Sequence, residues 1–184
     1  MTASLVFPEL TAITSRDAAS GFRCEEEALS RYFQQQATQQ GRREENRTWV
    51  IHRPDGRPDL PSVLGFYTLT WIQLERSSLP EPVTRRLPDY PIRAILIGRL
   101  ARDERCKGMG IGEHLLDDAH RRALRVNAEI GGLVVVVDAK NARAAAFYEA
   151  HDYTVLIRAG SATIAWPQRY FVKMEDLRAT YAGT

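Results

Sequence analysis

Cysteine is scarce in the 184-residue chain: Cys24 and Cys106 stand far apart and form no C-x-x-C pattern. That scarcity excludes a disulfide framework and a cysteine-rich zinc site, and it fits a reducing compartment. No stretch approaches the ~20 consecutive apolar residues that span a bilayer. The first ten residues, Met1 to Leu10, lack the basic start and apolar run of a signal peptide. The expectation is a cytoplasmic protein with no membrane partner. An excess of one charge is missing too, because 25 Lys+Arg face 23 Asp+Glu for a formal +2. This rules out a histone-like or polybasic binder but leaves a local basic groove open. Neither H-E-x-x-H nor Gly-Lys-Ser/Thr occurs, so a zincin site and a Walker nucleotide loop are excluded, and no metal is expected. Internal repeats and low-complexity tracts are absent. With 44% hydrophobic and 26% charged residues, the composition is that of a folded chain able to bury a core. Its length fits one domain over residues 1–184.

The N-terminal half reads as a helix followed by two strands. Residues 24–40 place Ala28, Leu29, Tyr32, Phe33 and Ala37 on one helical face. Glutamates 25–27 suit the positive start of that helix, and Gly41 is expected to stop it. Arg47–His52 and Val63–Ile72 are β-branched and aromatic, with the turn-rich segment Arg53-Pro-Asp-Gly-Arg-Pro-Asp between them. Residues 75–91 hold Pro80, Pro82, Pro88 and Pro91, which predicts a loop without a regular element.

The second half alternates. Ile92–Ala101 predicts a strand, 102–110 a loop, and 111–127 a helix striped by Leu115, Leu116, Ala119, Ala123 and Leu124. Gly131-Gly132 ends it, and Leu133–Val137 has the continuous apolar run of a strand covered on both faces. Asn141 can N-cap a helix over 141–150, and short strands follow at Thr154–Ile157 and Tyr170–Lys173. Such alternation predicts an α/β layered domain, and the first half makes the sheet mixed.

The most informative stretch is the loop before the 111–127 helix, with Arg102, Arg105 and Lys107 followed by Gly108, Gly110 and Gly112. Glycines let successive backbone N–H groups converge on one anion at a helix start, and cations add charge on the approach side. The ligand group predicted is a phosphate or pyrophosphate. A plain glycine turn would need neither three alternating glycines nor three cations. A dinucleotide site, with Asp138 as the ribose acid, is disfavoured because Glu113 stands where the third glycine belongs.

The third reading is a resemblance. Lys107-Gly-Met109-Gly110-Ile111-Gly112, continuing to Leu115-Leu116, resembles the pyrophosphate loop of GCN5-related N-acetyltransferases (GNAT), with Lys107 where Gln or Arg is usual. Asn141-Ala-Arg-Ala-Ala-Ala-Phe147-Tyr148, followed by Asp152-Tyr153, resembles that family's second signature. Further motifs are similar to those of the TacT/AtaT-like acetyltransferase toxins of type II toxin–antitoxin systems. They are Phe22-Arg-Cys24 with Leu29, Tyr32 and Phe33; Arg47-Thr-Trp-Val; Gly65-Phe-Tyr-Thr-Leu; and Ile97-Gly-Arg99-Leu100-Ala101. The resemblance covers about residues 20–157 and not the last 27.

It implies the GNAT fold: a mixed, mostly antiparallel central sheet flanked by helices on both faces. It also implies acetyl transfer from acetyl-CoA to the α-amino group of an aminoacyl-tRNA. That would block translation, with a ribbon-helix-helix-type antitoxin as partner and a homodimer as the expected assembly. The residues expected to hold acetyl-CoA are Leu100, Ala101, Arg102, Arg105, Lys107, Gly108, Met109, Gly110, Ile111, Gly112 and Asn141. Arg105 could make up for the planar donor that Lys107 lacks, and Asn141 could bind the CoA arm, cap its helix, or do both. Tyr148 takes the family's general-acid position, unless it is only core packing beside Phe147.

An aminoacyl α-amine, with a pKa at or below about 7.7–8.0, is partly neutral at pH 7 and needs no strong base. Glu104 and His114 are therefore read as solvent-facing or supporting residues. Arg47, Arg93 and Arg99 are candidates for substrate binding, although Arg99 could pair with a buried acid instead. Arg42, Arg43, Arg85, Arg86, Arg121, Arg122 and Arg125 could contact a tRNA backbone or simply be solvated beside Glu44, Glu45, Asp117 and Asp118. Two alternatives remain: acetylation of a small-molecule or protein amine, and a silent binding module that keeps the fold.

Overall fold

The computed structural model describes residues 6–85, 91–156 and 165–183. In order they form β1 (Thr11–Ala12), α1 (Ser15–Ala18), α2 (Glu27–Gln35), α3 (Ala37–Arg42), β2 (Arg47–His52), β3 (Val63–Leu74) and α4 (Glu81–Thr84). Then come β4 (Ile92–Arg102), α5 (Ile111–Ile130), β5 (Val134–Ala139), α6 (Ala142–Glu149), β6 (Thr154–Val155), β7 (Gln168–Lys173) and α7 (Met174–Tyr181). The strands make one seven-stranded sheet of order β1-β2-β3-β4-β5-β7-β6. Four neighbour pairs are antiparallel (β1 with β2, β2 with β3, β5 with β7, β6 with β7), whereas β4 and β5 run parallel. The α/β class and the mixed, mostly antiparallel sheet flanked by helices agree with the sequence expectation.

Two compact units divide the chain, residues 1–70 with 99–119 and residues 71–98 with 120–184. The first is built on aromatic side chains. Phe22, Phe33 and Phe66 are fully buried, with ring centroids 4.7–5.4 Å apart, and Tyr32, Ala37, Val50, Val63 and Ala101 complete the cluster. Gly65 fits here because it has no side chain. A Cβ would lie 2.8 Å from the Ala101 carbonyl oxygen and 2.8 Å from Leu115 Cδ1, so glycine lets the start of α5 approach β3.

The single helix expected over 24–40 is two helices, broken at Gln36. Gly41 does not stop the second; α3 runs through it to Arg42, and the reversal falls at Glu44 with φ 61°. Glycine costs a helix only about 1 kcal/mol relative to alanine, and the fully buried Ala37 anchors this turn. Ala28, expected on the buried face, is exposed.

The second unit is aliphatic. Leu74, Leu79, Ile92, Ala94, Val134, Val136, Leu156 and Phe171 cluster together, and Val134–Val137 are fully buried as a two-face strand should be. Residues 75–91 are more regular than their prolines suggest: a 3-10 turn at Arg76–Ser78 precedes α4. Pro82 lies in the first turn of α4, where its missing N–H removes no helical bond. Residues 86–90 of that loop, Ile157 of the expected strand and Arg86 lie outside the described residues. The C-terminal helix α7 was not expected. Its signals are weak, being the buried Met174 and Leu177 behind Glu175 and Asp176.

Candidate active site

In the first unit, β4 runs out at Arg102 and the chain turns through Glu104–Cys106, with the Cys106 side chain buried. Gly108 (φ 77°) and Gly110 (φ 75°) then take the left-handed backbone that side-chain-bearing residues rarely adopt. The first helical bond of α5 is from the His114 N–H to the Gly110 carbonyl oxygen at 3.1 Å. The N–H groups of the preceding turn have no intrahelical acceptor, and with the helix dipole they favour an anion. Of the three glycines in that spacing, Gly108 and Gly110 take the left-handed backbone, whereas Gly112 lies inside α5.

Its three cations differ sharply. Asp103, fully buried, accepts two parallel bonds from Arg105 (2.7 and 2.8 Å) and further bonds from the Arg105 and Arg23 N–H groups. Burial alone would raise the Asp103 pKa, but these hydrogen bonds and the neighbouring cation outweigh it and hold the carboxyl below its ordinary value. Arg105 therefore braces the loop with most of its fork, and only Nη1 stays clear of Asp103. Arg102 meets Glu25 at 3.1 Å and the Asp103 carbonyl oxygen at 3.2 Å. Lys107 is 70% exposed, 4.0 Å from Glu25, and is the most open of the three. Leu100 is half-buried and Ala101 buried in the last residues of β4, while Met109 and Gly112 are half-buried and Ile111 fully buried.

Arg99 is half-buried with its guanidinium 3.7 Å from the centre of the Tyr32 ring. Its partner among the described residues is an aromatic face and not the buried acid considered above. Arg47 is exposed, donates to the Gly41 carbonyl oxygen at 2.6 Å and lies 3.7 Å from Glu44. Arg42, Arg43, Arg85, Arg93 and Arg125 are exposed. Arg121 is not simply outward-facing, since it lies 4.8 Å above the Tyr181 ring. His114 is half-buried against Phe7, with centroids 4.9 Å apart, and Glu104 is exposed.

The second unit carries the other signature. Asp138, near the end of β5, accepts a hydrogen bond at each carboxylate oxygen from Arg169, at 2.7 Å each. The acid that a dinucleotide site would turn to a ribose is thus engaged by its neighbour on β7. The Asn141 side-chain oxygen accepts from the Ala144 N–H at 2.9 Å, which caps α6; its NH₂ has no partner among the described residues. Tyr148 is buried between Phe147 and Tyr153, with ring centroids at 5.3 and 5.4 Å, and its hydroxyl has no hydrogen-bond partner among the described residues. Burial first, and the Asp138 charge second, raise its pKa well above that of an ordinary tyrosine. The phenol, like an ordinary tyrosine, is protonated at neutral pH, and the shift extends that state to more alkaline pH.

Asp103, Arg169, Tyr153 and His120 are the residues of these surroundings that sequence reasoning missed. Tyr153 was visible only as part of the second signature, with no role attached to it. Among the described residues no group of three or more His, Cys, Asp or Glu side chains could hold a metal ion. No helix among them is long and apolar enough to cross a membrane.

Residues 10–153 match the Acetyltransferase (GNAT) family. The chain belongs to that family and is an acetyltransferase. Among its relatives, it is 34% identical over 143 residues to the tRNA-acetylating toxin of Mycobacterium tuberculosis, covering 78% of this chain and 82% of that protein. Its fold is shared by the structure of AtaT complexed with acetyl-methionyl-tRNAfMet, with a TM-score of 0.80, 24% identity, and coverage of 94% of this chain and 98% of that one. It is also shared by a Tyr-to-Phe mutant of the AtaT toxin bound to acetyl-CoA and the C-terminus of the antitoxin AtaR, with a TM-score of 0.73, 22% identity, and coverage of 94% and 97%.

Proposed function

We propose that this acetyltransferase moves the acetyl group of acetyl-CoA onto the α-amino group of an aminoacyl-tRNA and so acts as a translation-blocking toxin. The observation that carries the reading is the 34% identity to a tRNA-acetylating toxin over most of both chains. The glycine loop supports the choice of acetyl donor. Its two left-handed glycines and the start of α5 suit a pyrophosphate, with Lys107 as the accessible cation. The backbone of Leu100–Arg102 holds the pantetheine arm and polarises the thioester carbonyl. Asn141 adds a hydrogen bond through its NH₂ while its oxygen caps α6.

In the reaction the neutral amine attacks the thioester carbon, a C–N bond forms, the C–S bond breaks, and the nitrogen sheds one proton. Tyr148 gives its proton to the departing thiolate, and the proton lost by the amine restores it. Arg47, Arg93 and Arg99 meet the acceptor's phosphates, which makes binding salt-dependent. Residues 1–184 act as one acetyltransferase domain, in the cytoplasm and as a homodimer. The AtaT–AtaR complex supports an antitoxin partner, here of ribbon-helix-helix type.

The test follows radiolabel from acetyl-CoA into charged tRNA and into the same tRNA stripped of its amino acids, with wild type and Tyr148→Phe in parallel. Label confined to charged tRNA and lost in the variant is the expected result. Label absent from tRNA, while small amines still release free CoA, sinks the toxin reading and leaves a small-molecule acetyltransferase.

A further inference from the structure

Tyr148 raises a mechanical question. A general acid must be aimed, because misplacing a reacting group by about 1 Å can cost on the order of a hundredfold in rate. Yet the Tyr148 hydroxyl makes no hydrogen bond among the described residues, so its orientation comes from the rings around it. Phe147 is half-buried and precedes it on the same helix. Tyr153 is held far more firmly. Its N–H donates to the Tyr148 carbonyl oxygen at 3.1 Å, across a reversal in which Asp152 takes φ 64°. Its hydroxyl lies 2.8 Å from His120 Nε2, and the two rings stack at 25° with centroids 5.7 Å apart.

His120, itself 4% exposed, is fixed from its other side, where Nδ1 lies 3.1 Å from the Tyr181 hydroxyl of α7. A neutral imidazole has one N–H and one lone pair, so it can donate to one tyrosine and accept from the other. Neither arm of this bridge needs a charge. A buried histidine with both nitrogens engaged by phenols, one just ahead of β6 and one on α7, serves no step of acetyl transfer as described above.

We propose that His120 and Tyr153 are positioning residues that lock the ring against which Tyr148 is aimed. The inference rests on the reading of Tyr148 as the general acid. Because the lock acts through the Tyr148 hydroxyl, it changes turnover and leaves acetyl-CoA binding alone. It also gives α7 a task, since Tyr181 completes the clamp on the imidazole.

The test measures kcat, KM for acetyl-CoA and Tm for wild type, Tyr153→Phe, His120→Phe, Tyr148→Phe and the Tyr148→Phe/Tyr153→Phe double variant. Tyr153→Phe keeps the ring and deletes only the hydroxyl, and His120→Phe cuts the clamp from the other end. Each should lower kcat about tenfold with KM within about twofold. In the Tyr148→Phe background, Tyr153→Phe should cause no further loss, because no hydroxyl remains to be aimed. A purely structural role would multiply the two losses or follow the folded fraction. Tyr153→Phe at wild-type kcat, or losses that multiply, overturns the proposal while a dead Tyr148→Phe leaves the general acid standing. Tyr148→Phe at wild-type kcat overturns both.

Discussion

The glycine loop and the α6 segment carry the two signatures of the family, and they are built on opposite principles. As the proposed anion site, the loop works with backbone. Gly108 and Gly110 supply the left-handed turns, the first turn of α5 supplies N–H groups, and the one buried carboxylate, Asp103, serves as a brace for Arg105. In the proposed mechanism the α6 segment works with a single side-chain atom, the hydroxyl of a buried Tyr148 whose surroundings are rings. A recognition surface made of many peptide groups spreads its binding over several weak contacts. A proton donor concentrates its contribution in one atom. The first should fail by degrees in KM, and the second all at once in kcat.

The sharpest way to break that contrast is Tyr148→Phe. Removing a general acid typically costs 10²–10⁴-fold, so kcat should fall by at least about a hundredfold while KM for acetyl-CoA barely moves. Steady-state kinetics with a fixed acceptor decides it; a rise in KM alone would make Tyr148 a binding residue. The same contrast has a pH arm. Because burial raises the Tyr148 pKa, the donor form persists as pH rises, and kcat should not decline through the ordinary tyrosine range near about 10. A decline centred there would place an unperturbed group in the donor role.

Next in size is Gly110→Val. A β-branched residue at φ 75° is strained by roughly 1–2 kcal/mol, and its Cβ meets open space. The loop should distort without a clash, raising KM for acetyl-CoA about tenfold and leaving Tm only a few degrees lower. Isothermal titration with CoA reads the binding change directly, and unchanged affinity would remove the backbone from the argument.

The smallest effect belongs to the brace. Asp103→Asn replaces charge-assisted bonds by neutral ones, a difference of about 1 kcal/mol at neutral pH. The sign follows from its lowered pKa. The wild-type advantage is present above the unfolded carboxyl value of about 3.9 and is lost as pH falls through the lower folded value. Denaturant melts should therefore separate wild type and Asp103→Asn at pH 7 and bring them together at strongly acidic pH. Equal stability at pH 7 would make the Asp103–Arg105 pair incidental.

Much of this was legible where local chemistry and tertiary demand agree. Arg47–His52 is a strand residue for residue, and Asn141 caps α6 as its side chain and position suggested. Gly108 and Gly110 are where the spacing put them, with the backbone that only glycine takes easily. Legibility ended where long-range packing decides. Gly41 should have stopped a helix, but the buried Ala37 carries the chain through it. Arg105 looked like a ligand cation, and a carboxylate two residues away claims it. His120 has no local signal for its role, because the tyrosines it meets are 33 and 61 residues distant. The short α7 offers too few turns for periodicity to speak.

Cys106 lies in the turn just ahead of the glycines, its sulfur enclosed and its thiol pushed up by burial and by the charge of Asp103. Reaction with a maleimide needs a thiolate and an open path; the folded loop disfavours the first and encloses the second. Of the two thiols in the chain, the half-buried Cys24 is the one that such a reagent reaches first. The arrival of a second label then becomes a stopwatch for opening of the loop, one that a bound CoA would slow.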